Sequence, residues 1–319
     1  MIVTVTLNAA VDRTLTVPNF QLGHRHRASA AVTLAGGKGS NIARALKQLG
    51  VPVVATGLAG GRTGTRIVEE LQSEGILNDF VRIAGESRTS TAVVDPTGNS
   101  YTEINEWGPS VSEHELEILL EKLDYLAHGA ETVVFAGSLP RSVDPGFYCE
   151  AIRLLNRAGV RTVLDSDGEA LRLGVDGGPT VVSPNQPEAE GLVGQELNDD
   201  EDFQLALDRI RDMGARNVLI TQTTGCVALV REGTALRRFR AETPLLDPVS
   251  AVGAGDVLLA AFLAAQHAGR PAEESLRLGV AAGAASTLDL GAGRFDLRQA
   301  ARLQASVEVT ELAPVAFET

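Results

Sequence analysis

The sequence has few aromatic residues, few cysteines and no long apolar run. Aromatic residues make up 4% of the 319 positions and hydrophobic residues 44%, so alanine, valine and leucine must fill the core. The two cysteines, Cys149 and Cys226, are too few for a disulfide framework and fit a reducing compartment. No apolar run is long enough to cross a bilayer, and the N-terminus lacks the features of a signal peptide. We therefore expect a cytoplasmic protein without a membrane partner.

The sequence also lacks a basic block that could bind nucleic acid. Its formal net charge is −13, and a surface this acidic repels a phosphate backbone. The densest basic cluster spans 24–27 (HRHR). We interpret it as a solvated hairpin tip, with local attraction of a small phosphate as the alternative. Small anionic ligands are not excluded, because a few placed cations and helix N-termini can hold one.

Strand-like and helix-like segments alternate along most of the chain. Residues 2–7 alternate in the pattern of a first β-strand, and Ile42, Ala45, Leu46 and Leu49 mark one face of a helix. This alternation indicates an α/β protein with a mostly parallel sheet covered by helices on both faces. The other predicted strands are 53–59, 132–136, 162–165, 218–221 and 227–230, and the predicted helices are 40–49, 63–73, 112–125, 145–157 and 202–213.

Two polar segments interrupt this alternation. Residues 13–34 alternate without a helix, and residues 89–105 have the pattern of a hairpin whose turn spans 95–99. We predict that both segments form a small sheet that stands off the main one, as a lid would. The alternative is that they are edge strands of the main sheet.

The chain becomes apolar after Asp247. Between positions 248 and 269 the only formal charge is that of Asp256. Residues 257–266 are apolar on every face, which is typical of a buried helix. A second helix over 273–287, rich in alanine and glycine, is expected to pack against it.

The first of two glycine-rich turns spans 35–41 (AGGKGSN) and leads into a predicted helix. Its glycines allow a ligand to approach the backbone, and the helix start offers free N–H groups. Lys38 and Asn41 could then bind a phosphate or a sugar hydroxyl. Glycines alone favour a plain strand-to-helix connection, but a lysine inside the turn favours a ligand-binding site. The turn is not a Walker A loop, because Gly39 stands where serine or threonine must follow the lysine.

The second turn spans 252–256 (VGAGD) and opens the buried helix. Successive N–H groups of such a turn can form an anion hole. Asp256 is either an acid that complements the helix dipole or a general base beside that hole, and the local motif does not separate the two roles.

Eight motifs together resemble those of the ribokinase-like PfkB carbohydrate kinases, and within them the 1-phosphofructokinase and tagatose-6-phosphate kinase branch. They cover nearly the whole chain in order, which makes the set far more specific than any one motif. The motifs are 8–12 (NAAVD), 36–41 (GGKGSN), 87–89 (SRT), 102–106 (TEINE), 137–140 (GSLP), 165–168 (DSDG), 185–188 (NQPE) and 253–256 (GAGD).

The resemblance implies a ribokinase-like three-layer sandwich with a mostly parallel central sheet. Residues 1–319 would form a single kinase domain, with a small β-sheet lid at about 13–34 and 89–107. It also implies ATP and Mg²⁺ as cofactors, and a sugar phosphate and a nucleotide as small-molecule partners. A homodimer through the lid is a further implication.

The resemblance further implies a role for each matching residue. Asp256 would be the catalytic base, and Glu188 would order the metal. The residues implied in the anion hole are Gly253, Ala254 and Gly255. The residues implied in substrate binding are Asp12, Gly37, Lys38, Asn41, Arg88 and Ser138. The residues implied in nucleotide binding are Asn185, Thr221, Gly225, Gly253 and Gly255.

Several positions depart from the family pattern, mostly on the nucleotide side. Ser183 replaces a usual lysine, and Ala251 replaces a usual hydroxyl residue before the second turn. The 221–226 loop carries bulkier residues at two glycine positions, and Trp107 stands where the branch usually has proline. Loss of one charge-assisted phosphate contact would weaken binding roughly 10- to 150-fold if nothing compensated.

The leading functional hypothesis is ATP-dependent phosphorylation of a ketose phosphate, most simply fructose 1-phosphate to fructose 1,6-bisphosphate. A tagatose-6-phosphate kinase, or another sugar or nucleoside kinase, is the second. The third is a sugar-phosphate-binding regulatory protein with weak catalysis, which the nucleotide-side departures motivate and the intact GAGD motif disfavours.

Overall fold

The computed structural model describes residues 1–98 and 100–313. Asn99, at the end of the predicted 95–99 turn, lies outside the described residues. The strands are β1 (Ile2–Thr6), β2 (Ala10–Thr16), β3 (Ala30–Gly36), β4 (Val53–Gly60), β5 (Leu77–Ile83), β6 (Arg88–Asp95), β7 (Ser100–Asn105), β8 (Thr132–Ala136), β9 (Arg161–Asp165), β10 (Val181–Val182), β11 (Val218–Gln222), β12 (Gly225–Glu232), β13 (Ala235–Glu242) and β14 (Glu308–Leu312). The helices are α1 (Lys38–Gln48), α2 (Gly61–Ser73), α3 (Glu113–Ala127), α4 (Phe147–Arg157), α5 (Gly168–Val175), α6 (Gln186–Val193), α7 (Asp200–Asp212), α8 (Ala254–His267), α9 (Ala272–Ser286) and α10 (Leu297–Gln304).

The large sheet has ten strands in the order β14-β13-β12-β11-β10-β9-β8-β1-β4-β5. Strands β11 through β5 in that order are parallel, and β12, β13 and β14 add an antiparallel ribbon at one edge. Side chains alternate between the two faces, so Ile2 joins one buried cluster while Val3 and Val5 join the other. Helices α1, α2, α8, α9 and α10 cover the first face, and α3, α4, α5, α6 and α7 cover the second. The predicted ribokinase-like three-layer α/β sandwich is confirmed.

The two polar segments build a separate sheet of four strands, in the order β3-β2-β6-β7. Strand β2 pairs antiparallel with β3 and parallel with β6, and β6 pairs antiparallel with β7. They are therefore not edge strands of the large sheet. This sheet, called the small sheet below, begins at Ala10, three residues earlier than predicted, because β2 already pairs with Gly36 there.

Several element boundaries differ from the predictions for local physical reasons. Helix α1 begins at Lys38 and α8 at Ala254, because Gly37 (φ 92°) and Gly253 (φ 81°) turn the chain directly into each helix. Helix α3 ends at Ala127 rather than Tyr125, and the Ser112–Glu115 capping box fixes its start. Strands β5, β13 and β14 were missed, since they are partly polar and lie at or near sheet edges.

The buried helix α8 was predicted correctly as apolar on all sides. Residues 256–265 of α8 are all buried, and α9 packs along it. The packing is close because glycines face the partner helix: a Cβ at Gly279 would lie 3.0 Å from the Leu258 carbonyl oxygen. In the part of the chain that the structure describes, no helix is both long and apolar enough to span a bilayer.

Candidate active site

A cleft of about 850 Å³ opens where parallel strands of the large sheet end. Residues at or just beyond the carboxyl ends of β1, β8, β9, β10 and β11 line one side, and residues of the small sheet line the other. Open α/β sheets bind ligands outside the carboxyl ends of their strands. The cleft is therefore the expected position of a binding site in this architecture.

Most of the residues singled out from the sequence line this cleft. The predicted residues that line it are Asp12, Gly37, Lys38, Asn41, Arg88, Ser138, Asn185, Glu188, Thr221, Gly253, Gly255 and Asp256. Ala254 and Gly225 do not line it. The roles of all fourteen stay predictions, but the structure brings twelve of them to one place although they come from distant parts of the chain.

The first glycine turn delivers Lys38 to the centre of the cleft. Its Nζ lies 2.6 Å from Asp165 Oδ1 and 3.7 Å from Glu188 Oε1. Burial alone would lower the pKa of the Lys38 ammonium, but these two carboxylates outweigh it and raise that pKa. Lys38 is therefore a permanent cation held between two acids.

The second glycine turn delivers Asp256, which is buried at the start of α8. Asn41 Nδ2 donates to its Oδ2 at 2.8 Å. Burial, helped by the negative charge of Asp165, raises the pKa of Asp256 to about 7, while Lys38 and the Asn41 hydrogen bond act in the opposite direction. A carboxyl group with such a pKa exchanges a proton near neutral pH, which is the property of a general base.

Backbone N–H groups accompany Asp256 at the helix start. The Ala254 N–H donates to the Ala251 carbonyl at 3.2 Å, so it is already used. Within the described residues, the N–H groups of Gly255 and Asp256 have no acceptor. A Cβ at Gly255 would meet no atom of the described residues within 4 Å, so this part of the turn opens onto the cleft. An anion could therefore approach Gly255 more closely than Ala254.

Arg44 holds the first turn in place and orients Asn41, and sequence reasoning missed it. This buried arginine donates to Asn41 Oδ1 at 3.2 Å and to the carbonyl oxygens of Ala35 and Ala292 at 2.8 and 3.1 Å. Glu74 accepts from its Nε at 2.7 Å. Asn41 is thereby oriented with its Nδ2 towards Asp256. An arginine within a predicted amphipathic helix gave no sign of this role, because Glu74 and Ala292, which complete its set of partners, lie 30 and 248 positions away in sequence.

Asp12, on β2, brings a second carboxyl group with a raised pKa from the small sheet. Burial raises the pKa of Asp12 to about 6, and the nearby Arg88 guanidinium limits that rise. Arg88 also donates to the Asn8 carbonyl at 3.2 Å, and Asn8 Nδ2 donates to Ser138 Oγ at 3.1 Å. These contacts join the small sheet to the strand ends of the large sheet at one end of the cleft.

At the other end of the cleft, Asn185 and Glu188 form the capping box of α6. Glu188 Oε2 accepts from the Asn185 N–H at 2.8 Å, and Asn185 Oδ1 accepts from the Glu188 N–H at 2.9 Å. The other oxygen of Glu188 faces Lys38. Burial raises the pKa of Glu188, and the Lys38 charge limits the rise. The box therefore holds the Glu188 carboxyl in one orientation towards the cleft.

The departures on the nucleotide side have different structural consequences. Ser183 is buried and lines the cleft. Cys226 is fully buried in the core, where burial raises the pKa of its thiol to about 12. Gly225 lies against the Ala241 carbonyl, where a Cβ would be 1.9 Å from the oxygen. The larger side chain of Cys226 therefore packs in the core and does not narrow the cleft.

Further residues that sequence reasoning gave no role also line the cleft, among them Asp165, Asp167, Trp107 and Arg141. Asp165 is the last residue of β9 and Asp167 lies just beyond it, so the rule that sites lie at the carboxyl ends of strands could have found both acids. Arg141 and Trp107 come together only through the fold. The basic cluster at 24–27, by contrast, lies in the connection between β2 and β3, outside the cleft.

Comparison with known proteins agrees with the resemblance that the sequence motifs indicate. Residues 3–299 match the family described as pfkB family carbohydrate kinase. The 1-phosphofructokinase of Bacillus subtilis is 34% identical over 312 residues, covering 98% of this chain and 100% of that protein. The 1-phosphofructokinase of Borreliella burgdorferi is 34% identical over 289 residues, covering 90% and 92%.

Solved structures of two further proteins have a similar fold. Escherichia coli phosphofructokinase-2, in complex with substrates and products, superimposes with a TM-score of 0.87 at 30% identity, covering 95% of this chain and 98% of that one. A Thermotoga maritima protein described as a possible 1-phosphofructokinase gives a TM-score of 0.88 at 26% identity, covering 98% and 100%.

Proposed function

The chain belongs to the pfkB family of carbohydrate kinases, and from that premise we propose that it phosphorylates fructose 1-phosphate at its 6-hydroxyl, with ATP as donor. The product is fructose 1,6-bisphosphate. The observation that carries the proposal is Asp256, a buried carboxyl group whose pKa is raised to about 7 beside N–H groups that have no acceptor among residues 1–98 and 100–313. The 1-phosphofructokinase relatives support the choice of acceptor.

Asp256 acts as the general base. Its carboxylate takes the proton of the attacking hydroxyl, and that oxygen forms a bond to the terminal phosphorus. The bond from this phosphorus to the bridging oxygen breaks, and ADP leaves with its electron pair. Asn41 keeps the Asp256 carboxylate in position through the 2.8 Å hydrogen bond. A base with a pKa near the working pH suits this proton transfer.

The start of α8 stabilises the charge that develops during transfer. The N–H groups of Gly255 and Asp256 point from the positive end of the helix dipole, where negative charge is favoured. Lys38 adds a positive charge in the same cleft. Phosphoryl transfer asks the protein mainly for positioning and for such charge stabilisation.

The small-sheet end of the cleft binds the acceptor. Asp12 is mostly ionised at neutral pH, since its pKa is about 6, and it can accept hydrogen bonds from sugar hydroxyls. Arg88 supplies a cation for the phosphate that the acceptor carries, and Ser138 supplies a hydroxyl beside it. The small sheet would act as a lid over this end.

Asn185, Glu188 and Thr221 would hold the nucleotide end, together with Mg²⁺. Asp165 and Glu188, on either side of Lys38, fit Mg²⁺, which is commonly held by one or two carboxylates plus substrate phosphates. The described residues contain no cluster of three or more ligating side chains, so the phosphates would complete the coordination. When bound, Mg²⁺ supplies positive charge that neutralises phosphate oxygens.

A homodimer through the small sheet belongs to the same proposal. All six residues of β7 are exposed at the edge of that sheet, including Ile104 at 60%. An exposed edge strand of this kind can pair with another chain. Sedimentation velocity should show a dimer for the native chain and a monomer for Ile104→Lys. A monomeric native chain would end this part of the proposal.

A coupled assay with Mg-ATP tests the proposed activity. Fructose 1-phosphate, fructose 6-phosphate, tagatose 6-phosphate, fructose and ribose are compared as acceptors by following ADP release. We expect the highest kcat/KM with fructose 1-phosphate. A clear preference for tagatose 6-phosphate or for an unphosphorylated sugar would instead identify a different member of the family.

The variant Asp256→Asn separates chemistry from binding in the same assay. Because the amide cannot accept the proton, kcat should fall roughly 10²- to 10⁴-fold, while the Kd for the sugar phosphate changes little. Asp124→Asn, an exposed acid of α3 outside the cleft, serves as the matched control. Near-native turnover of Asp256→Asn would remove Asp256 as the base.

A further inference from the structure

The cleft is lined by three basic side chains and eight acidic ones. The basic residues are Lys38, Arg88 and Arg141. The acidic residues are Asp12, Glu103, Glu106, Asp165, Asp167, Glu169, Glu188 and Asp256. A phosphorylated ligand therefore enters a site with excess negative charge, so the positive groups that remain available to it decide whether it binds.

Two of the three cations are already engaged. Lys38 is held by the carboxylates of Asp165 and Glu188. The Arg88 guanidinium donates to the Asn8 carbonyl at 3.2 Å, and to Asn105 Oδ1 and the Glu106 carbonyl at 3.5 Å each. Neither side chain can bind a phosphate with its full set of donors unless these contacts rearrange.

Arg141 is the exception among the three. Its guanidinium carbon lies 3.1 Å from the centroid of the Trp107 ring, so the two groups are stacked. Over residues 1–98 and 100–313, Arg141 has neither an ion pair nor a side-chain hydrogen bond. A guanidinium held by one face leaves its N–H donors directed outward along its edge, in the fork geometry that matches a phosphate.

The stacked pair lies at the acceptor end of the cleft. Trp107 follows Glu106, whose carbonyl accepts from Arg88. Arg141 follows the 137–140 turn, whose Ser138 is bonded to Asn8. The nucleotide-side residues Asn185 and Thr221 belong to other elements and are joined to each other by an isolated parallel bridge.

We infer that Arg141, held by Trp107, binds the phosphate that the acceptor already carries and sets the preference for phosphorylated over neutral acceptors. The inference rests on the proposed function for its choice of acceptor. Arg88 adds a second cation for the same phosphate but is partly engaged by Asn8, Asn105 and Glu106, whereas the N–H donors of Arg141 have no acceptor within the described residues. Trp107 acts as a positioning residue that limits the rotamers of Arg141.

Equilibrium binding tests this inference without any turnover. Trp107 is the single tryptophan of the chain, so intrinsic tryptophan fluorescence reports on the ring that is stacked against Arg141. Fructose 1-phosphate, fructose and ATP are titrated separately into the native chain and into Arg141→Met, Arg141→Lys and Arg298→Met. Calorimetry provides the Kd where a variant changes the fluorescence baseline. Arg298, an exposed residue of α10 outside the cleft, is the matched control.

We expect Arg141→Met to raise the Kd for fructose 1-phosphate roughly 10- to 150-fold, the loss for one charge-assisted contact. Arg141→Lys should recover part of this loss, and binding of fructose and ATP should stay unchanged. In Trp107→Phe, which keeps a weaker aromatic partner, calorimetry should show fructose 1-phosphate binding weakened by at most about 2- to 5-fold, the range for a whole cation–π contact at an exposed site.

Three results would overturn the inference. The first is an unchanged Kd for fructose 1-phosphate in Arg141→Met. The second is an equal loss of affinity for fructose in that variant. The third is a loss of affinity for ATP alone, which would assign Arg141 to the nucleotide. The proposed function fails separately: if the native chain binds fructose 1-phosphate through Arg141 but does not phosphorylate it, the inference stands and the reaction is wrong.

Discussion

The two glycine-rich turns open helices α1 and α8 in the same way, but their glycines have different neighbours. In the first turn, a Cβ at Gly39 would lie 2.2 Å from Thr6 Oγ1 and 3.2 Å from the Val5 carbonyl oxygen. In the second turn, a Cβ at Gly253 would lie 2.9 Å from the Ala292 Cβ, whereas one at Gly255 would meet nothing within 4 Å. At Gly39 the first turn is thus packed against β1, whereas at Gly255 the second turn opens onto the cleft.

This difference separates two uses of glycine that look alike in sequence. Gly39 has no side chain because strand β1 occupies the space. Gly255 lies at the cleft with no protein atom in the way, so the described residues give no packing reason for a glycine there. Close approach of a ligand to the backbone is the remaining physical use of such a residue. The two turns also bring opposite charges, Lys38 and Asp256, to one cleft.

The largest expected effect concerns the second turn, because turnover should depend on the ionisation of its Asp256. Because only ionised Asp256 can accept a proton, kcat/KM should fall about tenfold per pH unit below a pKa of about 7 and level off above it. Asn41→Ala should move the midpoint to higher pH, since the Asn41 hydrogen bond favours the ionised form. The residual rate of Asp256→Asn over the same range corrects for titration of the substrate phosphates. A flat profile after that correction would contradict the assignment.

The free energy of unfolding should also depend on the ionisation of Asp256, but it should decrease with rising pH where turnover increases. The folded-state pKa of Asp256 lies above its usual value of 3.8, so its protonated form is favoured in the folded protein. Its contribution to stability is complete below pH 3.8 and is lost as pH rises through about 7. Asp256→Asn should therefore gain Tm relative to the native chain at pH 8, and the gain should shrink towards pH 4.

Gly39→Ala should destabilise the first turn. The added methyl group meets Thr6 and the β1 backbone, and overpacking of this kind costs about 1–3 kcal/mol of unfolding free energy. Urea denaturation measures the loss. The double variant Gly39→Ala with Thr6→Ser keeps the hydroxyl and should recover little, because the predicted clash is with Oγ1. An unchanged midpoint would mean that the packing of this turn does not require glycine.

Gly255→Ala should have the smallest effect on stability. Its Cβ has free space, and alanine is favoured over glycine in a helix by about 1 kcal/mol, so the urea midpoint should stay or rise. The methyl group should instead hinder the phosphoryl group, raising the KM for ATP about fivefold or more, the lower end of what overpacking costs. Unchanged kinetics would show that no ligand approaches Gly255.

Much of the architecture could be predicted from patterns within short stretches of sequence. The period of apolar residues gave the strand at 132–136 and the buried helix after Asp256, and ordered motifs gave the family. Short or polar elements such as α5, α6 and β13 were missed, because their stability comes from neighbours rather than from their own pattern. Both glycine-rich turns were predicted from the sequence, but the different neighbours of Gly39 and Gly255 were not.

The sequence by itself determined which side chains were available: one carboxyl group in an apolar stretch, a lysine in a glycine turn and a set of motifs in order. Only the tertiary structure decided their chemistry. Asn41 and Asp256 are 215 positions apart yet hydrogen-bonded, and Lys38 pairs with Asp165 across 127 positions. Propensity and periodicity act between residues close along the chain, whereas burial, Coulomb interaction and stacking depend on distance through space. The pKa of Asp256 and the Arg141–Trp107 stack therefore exist only once the chain has folded.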